Sequence, residues 1–174
     1  RSLILLGDTF HDRNAWLRLE DRTRAELLEL CGGVEHCCFV EGNHDVGISV
    51  DPGSCFADDY VRDGVLFSHE PEPASLLPQV IGHFHPKLRT SFHGQKLVGK
   101  CFAVNDRMLI MPAFGSFTGG LDIEDSAFEA LASGDPFRPY LVYRSTVVGW
   151  TAAMAMQQRN DGRGRRFGTA NKRE

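Results

Sequence analysis

Four short, mainly apolar runs in this sequence each stop abruptly at small or polar residues. The runs occupy 3–6, 36–40, 65–67 and 79–81, and the polar residues that follow lie at 7–8, 42–45, 68–69 and 82–85. Unbroken apolar runs of this length are typical of strands that are covered on both faces. Ligands of α/β proteins bind beyond the carboxyl ends of such strands. The pattern therefore predicts an α/β fold in which four strand ends deliver polar side chains to one cleft.

The remaining sequence predicts helices and further strands. Apolar residues recur at helical spacing over 21–31, and the glycines at 32–33 supply a stop signal. Ser126 is expected to cap a short helix that ends at Ala132. Further strands are predicted at 101–104, 108–111 and 140–143, the first two as a hairpin.

Composition is that of an ordinary folded domain. The 174 residues carry a net charge of −4, and 42% of them are hydrophobic. These values exclude collagen-like, low-complexity and wholly disordered chains. No apolar run reaches the length of about 18 residues that a membrane span needs, so no membrane association is expected. The five cysteines have no regular spacing, which favours free thiols in a reducing cytoplasm.

The sequence changes character near its end. Residues 1–156 predict one domain, whereas 157–174 carry six basic and two acidic residues with little apolar content. We expect this tail to be disordered. Basic tails can contact nucleic acid by releasing counterions, but a solvated terminus or a cloning remnant is the favoured interpretation.

The residue types at the strand ends point to a metal site. Five of the seven histidines lie in the loops after the strands, at positions 11, 44, 69, 83 and 85. Neutral imidazole is the commonest protein metal ligand, Asp8 has two oxygens that can bridge two cations, and Asn43 offers an amide oxygen. This set lacks thiolate, which argues against a structural zinc site. It suits Mn, Fe, Zn, Co or Ni.

Two adjacent cations of this kind suit the hydrolysis of phosphate esters, because they neutralise phosphate oxygens and lower the pKa of a water. His44 follows Asn43 and can protonate the leaving oxygen or stabilise charge on the phosphoryl group. Asp45 can accept from the other ring nitrogen of His44 and fix its tautomer. His44 and Asp45 are therefore the predicted catalytic residues.

Each of these signals also has a purely structural interpretation. Gly-Asp after a strand is common in turns, a lone His69 is typical of a satisfied buried histidine, and the Gly-His-x-His-Pro at 82–86 can form a surface turn. The order and spacing of all four segments favour a site.

The four segments resemble the calcineurin-like metallophosphoesterases, whose later motifs run G-D-x-x-D/H, G-N-H-D/E, a lone His and G-H-x-H. The corresponding segments here are 7–11, 42–45, 68–71 and 82–86. A narrower resemblance, to the bacterial ligase-associated DNA damage response endonucleases, is carried by 7–13, 69–71 and 112–121. The resemblance covers residues 3 to about 132.

This resemblance implies a metallophosphoesterase-type β-sandwich flanked by helices, with a dinuclear metal site along one edge. Asp8 matches the bridging ligand, and His85 matches a ligand of one metal. The remaining ligands of the other metal match Asn43, His69 and His83. His44 matches the catalytic histidine that contacts the phosphoryl group. His11 stands where the family more often has Asp, so it is at most a support for the ligands.

The family's first motif, D-x-H, is absent, and no residue before Leu3 can host it. This motif would give one metal its Asp and His. We expect the chain to be an incomplete record of a longer protein, with the N-terminal strand and first motif missing, rather than a defective enzyme.

The expected function is metal-dependent hydrolysis of phosphodiester bonds, with two divalent ions, Mn foremost, in the intact protein. The narrower resemblance implies a DNA endonuclease in DNA damage response, with a DNA ligase or helicase as partner. The alternatives are a small-molecule or nucleotide phosphodiesterase or pyrophosphatase, and a degenerate, non-catalytic binding protein.

Overall fold

The computed structural model describes residues 1–47, 50, 55–92, 95–116 and 118–150. Within them, the framework consists of one sheet of three strands and one sheet of eight. The basic tail predicted at 157–174 lies outside the described residues. No helix in the described part of the chain is long and apolar enough to cross a membrane.

The smaller sheet is parallel and contains the first strand. Its strands are β1 (Ser2–Leu6), β2 (His36–Val40) and β3 (Cys55–Ala57), in that order. Helices α1 (Ala15–Arg18) and α2 (Asp21–Gly32) connect β1 to β2. Leu6 pairs in register with Val40, so β1 and β2 end level and the loops that follow them leave the sheet side by side.

The larger sheet is mixed. Its strands are β4 (Asp59–Arg62), β5 (Val65–Ser68), β6 (Gln79–Ile81), β7 (Lys87–Phe92), β8 (Gln95–Val104), β9 (Met108–Ile110), β10 (Arg138–Tyr143) and β11 (Thr146–Gly149). The central strands β5, β6 and β9 are parallel, whereas the other neighbours run antiparallel. Helix α3 (Ser126–Ala132) follows β9. Ser68 pairs with Ile81, so β5 and β6 also end level.

Two hydrophobic clusters hold the elements next to these strand ends. In the first, the Phe10 and Phe39 rings stack with their centroids 6.5 Å apart, close to Cys31 of α2. In the second, Phe128 of α3 packs with the fully buried Ile81. Burying a phenylalanine stabilises a fold by about 1.5–3 kcal/mol. Phe10 is two residues from Asp8, and Ile81 is two residues from His83, so each cluster anchors one side of the strand-end region.

Several predicted elements are confirmed, and others differ for physical reasons. Strands 36–40 and 79–81 and the helix Ser126–Ala132 occupy the predicted positions. The residue that caps α3 is Asp125, not Ser126, because the Asp125 carboxylate accepts a hydrogen bond from the Ala127 N–H at 3.0 Å. Strand β1 is only half-buried.

The four strand ends also differ from the prediction, because they belong to two sheets and not to one.

All five cysteines are free thiols, as expected. Burial raises the pKa of Cys101 to about 12.

Candidate active site

The carboxyl ends of β1, β2, β5 and β6 meet at one place between the two sheets. The contact that joins them is a hydrogen bond from His69 Nδ1, after β5, to the carbonyl oxygen of Leu6, at the end of β1, with a length of 2.8 Å. The Gly82 N–H, after β6, donates to the His69 carbonyl at 3.2 Å. The predicted convergence of four loops on one cleft is therefore present.

His69 is the centre of the arrangement, and its side chain is buried. Because the Leu6 carbonyl can only accept, His69 Nδ1 carries a proton, which leaves the lone pair of a neutral ring on Nε2. That Nε2 lies 3.2 Å from Asp8 Oδ2 and 3.2 Å from His83 Nδ1. An N–H group on His83 Nδ1 can donate to this lone pair, and a cation between Nε2 and Asp8 Oδ2 would satisfy both acceptors.

Two glycines make this approach possible. A Cβ atom on Gly7, which has φ of +75°, would lie 2.4 Å from His69 Nδ1. A Cβ atom on Gly42 would lie 2.2 Å from the backbone nitrogen of Asp8. The glycines of the two motifs therefore let the loops after β1 and β2 close on His69 and on each other.

Asp45 links the loops after β1 and β2 through hydrogen bonds. Its buried carboxylate accepts backbone N–H groups from Gly42 at 2.8 Å, from Asp8 at 3.2 Å and from Phe10 at 3.3 Å. In return, Asp8 Oδ1 accepts the backbone N–H of His44 at 3.0 Å. Bonds of this kind to a charged acceptor are stronger than neutral ones. Asp45 thereby fixes the backbone of Asp8.

The predicted pairing of the Asp45 carboxylate with the His44 ring is not formed among the described residues. The physical reason is that the Asp45 carboxylate is buried and turned toward the backbone N–H groups of Gly42, Asp8 and Phe10, whereas His44 is exposed. His44 itself is exposed, and its neighbour in the chain, Asn43, lines the cleft. The structure thus places Asp45 as a support for the loops and His44 where an incoming molecule can reach it.

The backbone at the site is strained. Asp8, His83 and His85 adopt φ values of +48°, +50° and +49°, a left-handed conformation that costs a non-glycine residue roughly 1–2 kcal/mol. Other non-glycine residues with positive φ lie in the turn between β4 and β5, at the end of α3 and in the turn between β10 and β11. Strained residues outside such turns cluster at functional sites, and here three of them are predicted ligands.

His83 and His85 follow β6 and approach the same centre. His83 Nδ1 lies 3.6 Å from Glu70 Oε1, and the His83 ring meets the Phe84 ring edge-on at 5.1 Å. Burial lowers the pKa of His85, as does the neighbouring His69, while Asp8 opposes the shift. A lowered pKa keeps the His85 imidazole neutral at physiological pH, which is the form that binds metals.

Asn43 lies on the open side of the site. It is exposed and, with His69, lines a cleft of about 420 Å³. The other walls of this cleft include the carboxylates Glu41, Asp58, Asp59, Glu70 and Glu72. Burial raises the pKa of Asp59, and the charges of Glu72 and Asp58 raise it further. The cleft therefore attracts cations and offers phosphate groups no basic wall of its own.

The donor set fits divalent cations in chemistry and in pairwise spacing. Ligand atoms about 2.1 Å from one ion lie roughly 3.0–3.4 Å apart, and His69 Nε2 is 3.2 Å from both Asp8 Oδ2 and His83 Nδ1. Among the described residues, however, no three His, Cys, Asp or Glu side chains are arranged together to hold an ion. Metal binding by Asp8, Asn43, His69, His83 and His85 stays a prediction.

Sequence reasoning missed Lys100 in β8, which supports the rim of the site. Its Nζ donates to three successive carbonyl oxygens, those of Ala113 at 2.7 Å, Phe114 at 3.3 Å and Gly115 at 2.6 Å. Its charge also contributes to the lowered pKa of His85. No local motif marks Lys100, because its role depends on the pairing of β8 with distant strands.

Comparison with known proteins finds a likeness among solved structures. No protein-family model and no curated protein sequence matches the chain. Among solved structures, the chain is similar to the crystal structure of the Pseudomonas putida nuclease MPE, with 28% sequence identity and a TM-score of 0.61. The match covers 86% of this chain and 71% of that one. The likeness confirms the predicted α/β fold, in which β-sheets are flanked by helices.

Proposed function

We propose that this protein is a metal-dependent phosphodiesterase that acts on nucleic acid. The observation that carries the proposal is the position of His69 Nε2, 3.2 Å from both Asp8 Oδ2 and His83 Nδ1, where strand ends of two sheets meet. The likeness to a nuclease supports a phosphodiester substrate. The strained backbone of Asp8, His83 and His85 supports a site rather than a structural turn.

Asp8, Asn43, His69 and His83 would hold one divalent cation, and Asp8 and His85 would contribute to a second in the intact protein, with Mn the expected ion and Fe, Zn, Co or Ni also compatible. Such a pair, when bound, neutralises phosphate oxygens and activates water for attack on phosphorus. The chain prepares its ligands in advance. The Leu6 carbonyl fixes the tautomer of His69, and Asp45 fixes the backbone of Asp8.

His44 is the proposed catalytic residue that contacts the substrate. Its backbone N–H is held by Asp8 Oδ1 at 3.0 Å, while its ring stays exposed beside Asn43. From this position the ring protonates the leaving oxygen or stabilises the charge on the phosphoryl group. Asp45 is a positioning residue in this scheme.

The narrower proposal is a DNA endonuclease that works in DNA damage response beside a DNA ligase or helicase. It is supported by the resemblance of 7–13, 69–71 and 112–121 to ligase-associated endonucleases.

A specific observation favours a second candidate, a small-molecule or nucleotide phosphodiesterase or pyrophosphatase. The walls of the cleft are acidic, and acidic walls oppose a long polyanion more than a small ester.

The test combines metal analysis with hydrolysis assays. We expect the protein with Mn to cleave single-stranded or nicked DNA. Asp8→Ala should lose bound metal and activity together. His44→Ala should keep its metal and lose kcat by about 10²–10⁴-fold, as removal of a general acid does. His36→Ala is the matched control, since His36 is exposed at the start of β2, at the other end of the strand.

The outcomes separate the candidates. Cleavage of nucleotide phosphodiesters without any cut in DNA would replace the nuclease by the small-ester enzyme. No hydrolysis of either substrate class, with no metal retained by the wild type, would leave the non-catalytic binding protein as the better account.

A further inference from the structure

The segment between β9 and α3 runs along the edge of the candidate site. At its start, the Met111 N–H donates to the Ile81 carbonyl at 2.8 Å. At its end, the Leu121 N–H donates to the Phe84 carbonyl at 3.2 Å, and the Leu121 carbonyl accepts from the Lys87 N–H at 2.8 Å. Because Ile81 and Phe84 flank His83 in the chain, both ends of this segment are fastened beside a predicted ligand.

The middle of the segment is fixed by Lys100. The ammonium group donates to the carbonyls of Ala113, Phe114 and Gly115. Charge-assisted hydrogen bonds of this kind are about twice as strong as neutral ones. Three of them on consecutive residues restrict the backbone that carries the central residue.

That central residue is Phe114, which is fully exposed, with a relative accessible surface of 105%. Single exposed apolar residues are common on protein surfaces, so exposure alone carries nothing. Leu76, for example, is 93% exposed, and it lies near the start of β6, at the end of the strand away from the site. Phe114 differs because Lys100 holds its backbone and because the same segment packs against a predicted ligand: a Cβ atom on Gly120 would lie 2.1 Å from the His85 carbonyl oxygen.

We propose that the ring of Phe114 stacks on an unpaired base of a nucleic-acid strand whose phosphodiester bond lies at the candidate site. The inference rests on the proposed function. The acidic walls of the cleft give no attraction for the phosphate backbone. A base face supplies what charge does not, since every base presents a π-surface to an aromatic ring and stacking tolerates any sequence.

The test measures binding without hydrolysis. The partner is a fluorescein-labelled oligothymidylate of about 12 nucleotides, within the usual length of a single-strand site. A second oligonucleotide has the same backbone with every base replaced by an abasic spacer. Fluorescence anisotropy in EDTA gives the affinity of each for wild type, Phe114→Ala, Phe114→Trp and the control Leu76→Ala.

We expect Phe114→Ala to weaken binding of the oligothymidylate by about 5-fold to 150-fold, the range measured for loss of one stacking ring. The abasic strand should bind wild type and Phe114→Ala equally. Phe114→Trp should restore affinity for bases, and Leu76→Ala should behave as wild type. Because Phe114 is fully exposed, its removal leaves no cavity that would unfold the protein.

Three results overturn the inference: equal affinities of wild type and Phe114→Ala for the oligothymidylate, equal losses on both strands, or no binding of either strand by the wild type. Hydrolysis with Mn is measured separately. If wild type binds bases through Phe114 but cleaves no strand, stacking stands and the proposed hydrolytic function fails.

Discussion

At the scale of single residues, the site depends most on Asp45, which no substrate or metal is expected to touch. Its carboxylate takes up three backbone N–H groups from two loops. Sequence reasoning identified Asp45 from its place after His44 but assigned it to the wrong kind of neighbour. A sequence shows which residues are adjacent in the chain, whereas the backbone donors of Asp8 and Phe10 reach Asp45 only after the sheet has formed.

We predict that Asp45→Ala lowers the free energy of unfolding by about 3 kcal/mol, because a buried donor left without a partner costs roughly 1–3 kcal/mol. Bound Mn should fall in parallel, since Asp8 loses its fixed backbone. Asp45→Asn keeps one acceptor oxygen and should lie between the two proteins. Urea unfolding with metal analysis measures both effects.

The matched control is Asp106→Ala. Asp106 is exposed and pairs with the exposed Arg138 at 2.8 Å, and such pairs contribute about 0–1 kcal/mol. Equal destabilisation by the two alanine variants would contradict the role given to Asp45.

At the scale of elements, strands with apolar runs were predictable and strands without them were not. Strand β6 lies at residues 79–81, as predicted, because a buried central strand is rich in the apolar residues that mark a strand in the sequence. Half of β4 and most of β11 are exposed, and neither strand contains an apolar run of more than two residues. The order of the strands was equally out of reach, since the parallel pairing of β6 with β9 joins residues that no local pattern relates.

The cap of helix α3 provides a sharp test at this scale. The Asp125 carboxylate accepts the Ala127 N–H, so we predict that Asp125→Ala lowers the free energy of unfolding by about 1 kcal/mol, the usual effect of losing an N-cap. Ser126→Ala should have almost no effect, because Ser126 is already the first helical residue. Chemical unfolding of the two variants distinguishes the observed cap from the one the sequence suggested.

The helix matters for the site as well. The ring centroids of Phe128 in α3 and Phe84 are 5.9 Å apart, and the Phe84 ring in turn contacts the His83 ring.

A larger loss of stability from Ser126→Ala than from Asp125→Ala would contradict the assignment of Asp125 as the cap.

At the scale of the whole molecule, the site joins two sheets that otherwise have separate hydrophobic clusters. The convergence of the loops could be predicted because apolar runs that stop at glycine, aspartate, asparagine or histidine mark the ends of strands. The contacts that hold the site in place could not be predicted. Lys100, the Leu6 carbonyl and Asp45 make hydrogen bonds to residues that come near them only when the sheets have assembled.

We predict that Mn stabilises both sheets together, because its ligands come from both. A ligand at 100 times its Kd adds about 2.7 kcal/mol to the free energy of unfolding of the state that binds it. Thermal unfolding of a Trp150→Phe variant, followed by the fluorescence of Trp16 beside the smaller sheet and by far-UV circular dichroism, should therefore shift upward by the same amount.

Asp8→Ala serves as the control and should show no shift with Mn. A shift seen at Trp16 alone would mean that the ion is held by the smaller sheet only.

The bond between His69 and Leu6 has a consequence for how this protein is made. Asp8 is synthesised before its partners at 69, 83 and 85, and pairing between residues so far apart in sequence slows folding. A nascent chain therefore cannot gather the ion-binding groups until most of the domain has been synthesised. Under the proposed function, a nascent chain still bound to the ribosome would not cleave its messenger RNA. Hydrolytic activity would appear only after the domain has folded.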